Sequence, residues 1–148
     1  MADIILREAV SSDLPGILAL YSYLGSELAE DPAKSSAVWE KIMDAEGYHI
    51  IVAESEGRIL STCACTVISN LTHGARPYAF VENVVTHPDA RGKGYATMCL
   101  DMASEIARAN DCYKIMLMTG SKREATLNFY RKAGYNSDDK TAFVRWLT

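Results

Sequence analysis

Four consecutive residues, Arg91, Gly92, Lys93 and Gly94, combine two positive charges with two glycines. They stand between an apolar run, Tyr78 to Thr86, that is ended by Pro88, and a helical pattern that begins at about Tyr95. This arrangement suits an anion. Glycines let the backbone approach a ligand, the free amides of a helix N-terminus point at it, and the helix dipole favours negative charge there. Arg91 and Lys93 strengthen the same field. Chemistry alone makes the turn a pocket for phosphate or pyrophosphate. Two nucleotide motifs fail on spacing. A P-loop needs GxxxxGK[ST], which no segment supplies, and a dinucleotide fingerprint needs a third glycine where this chain has Thr97.

The elements that must hold this turn follow from periodicity. Ile4 to Arg7 is a short strand candidate. Ser11-Ser12-Asp13 offers N-cap chemistry, Pro15 suits a first helical turn, and Leu14, Ile17, Leu18, Tyr21 and Leu24 recur at helical spacing up to Gly25. Pro32 lies in a polar stretch read as a loop or broken turn, and a second helix is expected from about Ser35 to Ala45. Tyr48 to Glu54 and Arg58 to Ser69 read as strands joined at Glu56-Gly57, a hairpin signal. A loop from Leu71 to Pro77 leads to the strand before the glycine turn. A helix from Tyr95 to Ala109 follows, then a continuous apolar run, Tyr113 to Met118, that reads as a central strand covered on both faces. Lys122 to Lys132 is helical, and Thr141 to Leu147 reads as a last strand. This order implies an α/β (α+β) domain spanning residues 1–148, with one mixed sheet and helices on both faces.

With 148 residues, 49% hydrophobic and 23% charged, the chain has the composition of a globular protein with a sizeable core. A formal net charge of −4 argues against nucleic acid as partner. The first residues lack signal-peptide character and no apolar run reaches membrane-spanning length, so a cytoplasmic protein is expected. Cys63, Cys65, Cys99 and Cys112 form no CxxC pair, and His49, His73 and His87 are scattered. Neither a metal site nor a disulfide is expected.

Two segments carry a family resemblance. Arg91-Gly92-Lys93-Gly94-Tyr95-Ala96, behind Val84-Val85-Thr86-His87-Pro88, resembles the [RQ]xxGx[GA] acyl-CoA signature of the GNAT superfamily of N-acyltransferases. Downstream, Ala125-Thr126-Leu127-Asn128-Phe129-Tyr130-Arg131-Lys132-Ala133-Gly134-Tyr135 resembles the family's AxxFYxKxGF segment. The resemblance implies a GNAT-like, mostly antiparallel sheet and acetyl-CoA as cofactor. It implies that the amides from Gly92 to Ala96 hold the pyrophosphate and that the backbone of Val84, Val85 and Thr86 holds the pantetheine arm. It extends the cofactor contacts to Ala125, Phe129, Tyr130 and Lys132. Lys122 stands where the family often has asparagine, and a lysine there can reach a CoA phosphate instead.

The same resemblance gives the chemistry. The expected activity is N-acetyl transfer to a primary amine of a small molecule or peptide, by direct attack in a ternary complex. Glu82 is the candidate base, in a segment similar to glucosamine-6-phosphate N-acetyltransferases, which carry acidic residues there. Tyr130 matches the tyrosine that protonates the departing thiolate, a task suited to a phenol of pKa about 10. Tyr21, Glu27 and Trp39 are candidate acceptor contacts, and Arg76 is a candidate contact for an anionic acceptor such as a sugar phosphate. The alternative is a non-catalytic acyl-CoA-binding or sensing domain. A homodimer, with Thr141 to Leu147 as an exchanged strand, is expected by analogy.

Overall fold

The computed structural model describes residues 2–148. Five strands, β1 (Ile5–Glu8), β2 (Tyr48–Ser55), β3 (Arg58–Ile68), β4 (Tyr78–Thr86) and β5 (Ile115–Leu117), form one sheet in sequence order. β1 to β4 pair antiparallel, and β5 joins β4 in parallel. Helices α1 (Leu14–Tyr21) and α2 (Pro32–Asp44) lie on one face; a single turn, α3 (Thr72–Ala75), precedes β4; α4 (Tyr95–Ala109) and α5 (Glu124–Lys132) lie on the other. The mixed, mostly antiparallel sheet with helices on both faces is as expected.

Local chemistry sets the boundaries. α2 starts three residues before Ser35, because Asp31 accepts a hydrogen bond from the Ala33 amide at 3.0 Å and Pro32 fits the first helical position. The proline read as a helix breaker is a helix starter. Glu56 and Gly57 both have positive φ, as the tight hairpin between β2 and β3 requires.

The two faces are filled differently. On the α1 side, Ile17, Trp39, Ile50, Val52 and Ala64 form the buried cluster. On the α4 side, Cys99, Ala103 and Ala107 recur every fourth residue over Cys63, Cys65, Ala53 and Ala79. These small side chains let the helix lie close on the sheet, while Leu100 and Ile51 supply bulk, each contributing about 1.5–3 kcal/mol by burial. All four cysteines are free thiols. The Cys63 thiol donates to the Cys99 carbonyl at 3.6 Å, and burial raises the pKa of Cys65 to about 11 and of Cys99 to about 12. They are packing groups held protonated.

Two strand expectations are corrected. Residues 141–148 form no strand, since the segment makes no ladder and Phe143, Trp146 and Leu147 are 90%, 81% and 91% exposed. In consequence β5 is a three-residue edge strand with half-buried side chains, not a central one covered on both faces.

An ion network fastens β1 to the start of α1. Arg7 donates to both Asp13 oxygens at 2.7 and 3.0 Å and to Glu54 at 2.6 Å, and Asp13 also accepts from the Val10 amide at 2.7 Å. The hydrogen bond from Arg7 holds the Asp13 pKa below its ordinary value of 3.8. A depressed carboxylate pKa stabilises the fold above the unfolded value and loses that contribution as pH falls through the folded value. Asp13→Ala is therefore expected to cost about 1–3 kcal/mol at pH 7. In urea melts the gap to the parent protein should close as the pH drops below about 4.

Candidate active site

The glycine turn has the geometry its composition implies. Gly92 and Gly94 have φ of 75° and 84°, left-handed conformations that favour glycine, and the space where a Cβ would project is open at both. Gly94 is the N-cap of α4 and offers no side-chain cap, so the first amides of this 15-residue helix have no partner from the cap residue. Arg91, Gly92, Lys93 and Gly94 are exposed. Tyr95 differs: its ring packs on the α4-side core, so only its backbone belongs to the turn. Arg91 Nε donates to the Thr86 carbonyl at 3.3 Å and ties the turn to the end of β4.

Beside the turn the sheet opens. β4 pairs with β5 only over Ala79 to Val81, so residues 82–86 have no strand partner on that edge among the described residues. On its other edge β4 carries a bulge. Thr62 faces Val85 and Ala64 faces Glu82, leaving Asn83 and Val84 opposite Cys63 alone. Asn83 takes φ of 54°, a conformation asparagine tolerates better than most residues. The extra residue changes which side chains face where. Val81 and Val84 pack on the α4-side core, whereas Glu82 shares the row of Ile50 and Ala64 on the α1 side. Asn83 also turns to that side, where it lines the same cavity as Tyr21 and lies close enough to influence its phenol. Two consecutive polar residues thus face one side of a strand that otherwise alternates.

Glu82 is exposed and close enough to Tyr48 for its charge to help raise that phenol's pKa, behind burial as the main cause. Tyr130, on α5, approaches from the opposite face. It is half-buried, packs on the α4-side core with its ring edge-on to Phe129 at 5.0 Å, and lies within electrostatic reach of Cys63, the residue opposite the bulge. Burial raises its pKa above the usual 10.0, so the phenol stays protonated at neutral pH. The sequence candidates for acid and base are on opposite faces of the opened sheet.

The remaining candidates separate. Phe129 is a core contact, while Lys122, Ala125 and Lys132 are exposed along the segment carrying α5. Tyr21 and Trp39 line one cavity on the α1 face; Glu27 is an exposed loop residue outside it. Arg76 lies elsewhere: it binds the Asp111 carboxylate at 3.3 Å and the Asp111 carbonyl at 3.1 Å, at the C-terminal end of α4, whose N-terminal end forms the glycine turn. Asn83 and Tyr48 were missed. The pair Glu82-Asn83 inside an apolar strand was the available signal for the bulge. No group of three or more metal-ligating side chains occurs among the described residues.

The family described as the acetyltransferase (GNAT) family matches residues 17–135. A glucosamine 6-phosphate N-acetyltransferase of Trypanosoma brucei brucei is 29% identical, over 95% of this chain and 94% of that one. An L-methionine sulfoximine/L-methionine sulfone acetyltransferase of Pseudomonas aeruginosa is 29% identical, over 96% and 88%. A solved structure from Agrobacterium tumefaciens str. C58 superposes with a TM-score of 0.89 at 37% identity, over 96% of this chain and 99% of that one.

Proposed function

The chain belongs to the acetyltransferase (GNAT) family, and on that premise we propose that it acetylates a primary amine by direct attack while donor and acceptor are bound together. Acetyl-CoA is the cosubstrate; when bound, it supplies the activated acyl group and a thiolate leaving group. The observation that carries the reading is the opened sheet at Glu82–Thr86 beside an uncapped helix N-terminus. The residues present fit CoA. The amides and charges of residues 91–96 suit its pyrophosphate, and the unpaired β4 edge suits the pantetheine amides as an added strand would. Val84, Val85 and Thr86 all lie on that edge, and the Thr86 carbonyl also accepts from Arg91.

The side chains divide the proton work. An aliphatic amine of pKa about 10.4 is almost wholly charged at neutral pH and must lose a proton before it attacks. Glu82, solvent-connected on the α1 face, takes that proton directly or through water. Tyr130, protonated and reaching from the α4 side, donates to the leaving sulfur. Initial-rate kinetics tests direct attack: intersecting reciprocal plots are expected, and parallel lines would mean an acyl-enzyme instead. Glu82→Gln is expected to lower kcat/KM about tenfold to a hundredfold near pH 7, with less loss at higher pH as free amine accumulates. A pH profile of unchanged shape and height would remove Glu82 as the base.

The tail supports a second copy of the chain as partner. Phe143, Trp146 and Leu147 are exposed, and the outer edge of β5 is unpaired among the described residues. An open strand edge and an apolar segment of the same chain complement each other across a two-fold axis. These features support a homodimer in which each tail covers the other copy's β5. Light scattering at micromolar concentration should give a dimer, and truncation after Lys140 a monomer. A monomeric full-length chain would contradict this assembly.

A further inference from the structure

The α1 face holds a cavity of about 220 Å³ between α1, α2 and the β4 bulge. Its walls include Leu18, Tyr21, Trp39, Ile42 and Tyr48, with Asn83 at the bulge end. Among these aromatics the indole nitrogen is already engaged. Trp39 Nε1 donates to the Ser11 carbonyl at 3.0 Å, and the Tyr21 hydroxyl lies near Asn83. Lys34, exposed, is the one charged side chain in the lining, and its stem adds apolar surface. Glu82 follows the same face of β4 and neighbours Tyr48.

This wall selects against two acceptor classes. A phosphate ester needs several charge-assisted donors, for which paired arginine forks are the usual means. Here Arg7 is committed to Asp13 and Glu54, and Arg76 to Asp111 at the far end of α4. A polycation needs several carboxylates, and none lines the cavity. What the cavity accommodates is apolar: a cavity of about 150 Å³ lined by aliphatic and aromatic groups takes benzene, so this one holds a phenyl ring with a short linker.

Resting on the acetyltransferase reading above, we infer that the acceptor is a primary amine carrying a single aromatic or branched aliphatic group, which fills this cavity while the amine lies at Glu82. The likeness to a glucosamine 6-phosphate enzyme then covers the donor half of the site and not the acceptor.

Phenethylamine, glucosamine 6-phosphate and spermidine serve as probes in thiol release from acetyl-CoA. Phenethylamine is expected to have at least tenfold the kcat/KM of either other amine. Val38→Trp, which fills the cavity from a side chain 49% exposed at its rim, should lower that value at least tenfold and leave the thermal shift given by CoA unchanged. Equal or better turnover of glucosamine 6-phosphate or spermidine overturns the inference while leaving the acetyltransferase intact, and so does an unaffected Val38→Trp variant. If CoA gives no thermal shift and no amine is turned over, the acetyltransferase reading is what has failed. The cavity is then judged by direct binding. The chain has two tryptophans, so Trp146→Phe leaves Trp39 as the sole reporter. Saturable quenching of Trp39 fluorescence by phenethylamine supports the inference, and its absence overturns it.

Discussion

Tyr130→Phe is expected to lower kcat about a hundredfold while the KM for acetyl-CoA stays within about twofold. The substitution removes one oxygen and keeps the ring that packs beside Phe129 on the α4-side core, so the fold should be retained. What is lost is the proton offered to the leaving sulfur. Burial keeps the phenol protonated at neutral pH, so the proposed acid is in place before the bond breaks. General acids of this kind contribute about 10²–10⁴ in rate, and water entering the opened sheet replaces part of that. Because the hydroxyl is needed when charge develops on sulfur and not when the donor binds, the loss falls on kcat. Unchanged kcat would remove Tyr130 from the chemistry and leave it a core aromatic.

The second large effect belongs to the glycine turn. Gly94→Asp should raise the KM for acetyl-CoA by about a hundredfold or more. Its φ of 84° imposes about 1–2 kcal/mol of strain on a residue with a Cβ. The carboxylate would also meet the pyrophosphate at the helix N-terminus, where like charges about 4 Å apart repel by about 4 kcal/mol at an effective dielectric of 20. Gly94→Ala carries the strain without the charge and should fall between the parent and Gly94→Asp. The open space at this Cβ position makes the comparison clean, since the added Cβ displaces no neighbour in either variant. Isothermal titration with CoA reads both contributions. Equal affinities for the three proteins would place the pyrophosphate elsewhere.

The geometry of the glycine turn was legible in sequence because its chemistry is local. Arg91 to Ala96 needs only glycines, charges and a helix start, all adjacent in the chain. Fold class was legible for a similar reason, since the periodicities around Leu14–Leu24 and Tyr95–Ala109 are long and regular. The cavity on the α1 face was not, because it is assembled from distant elements. Tyr21, Trp39 and Tyr48 meet only when α1, α2 and β2 pack, and Asn83 joins them through a bulge that reverses the expected alternation of β4. Arg76 shows the converse, a basic loop residue whose carbonyl and carboxylate partners at the end of α4 are visible only after folding. The tail misled for a physical reason. Alternation marks strand capacity, and Thr141 to Leu147 forms no ladder with the sheet of its own copy.

The most direct test of the central claim is thiol release from acetyl-CoA by the purified protein, with and without a primary amine, coupled to mass detection of the product. Amine-dependent release with one acetylated amine formed per thiol is the predicted result. A protein that CoA stabilises against heat but that acetylates no amine across aromatic, aliphatic, sugar and peptide classes would be a binding domain, and would contradict the assignment of Glu82 and Tyr130 to catalysis.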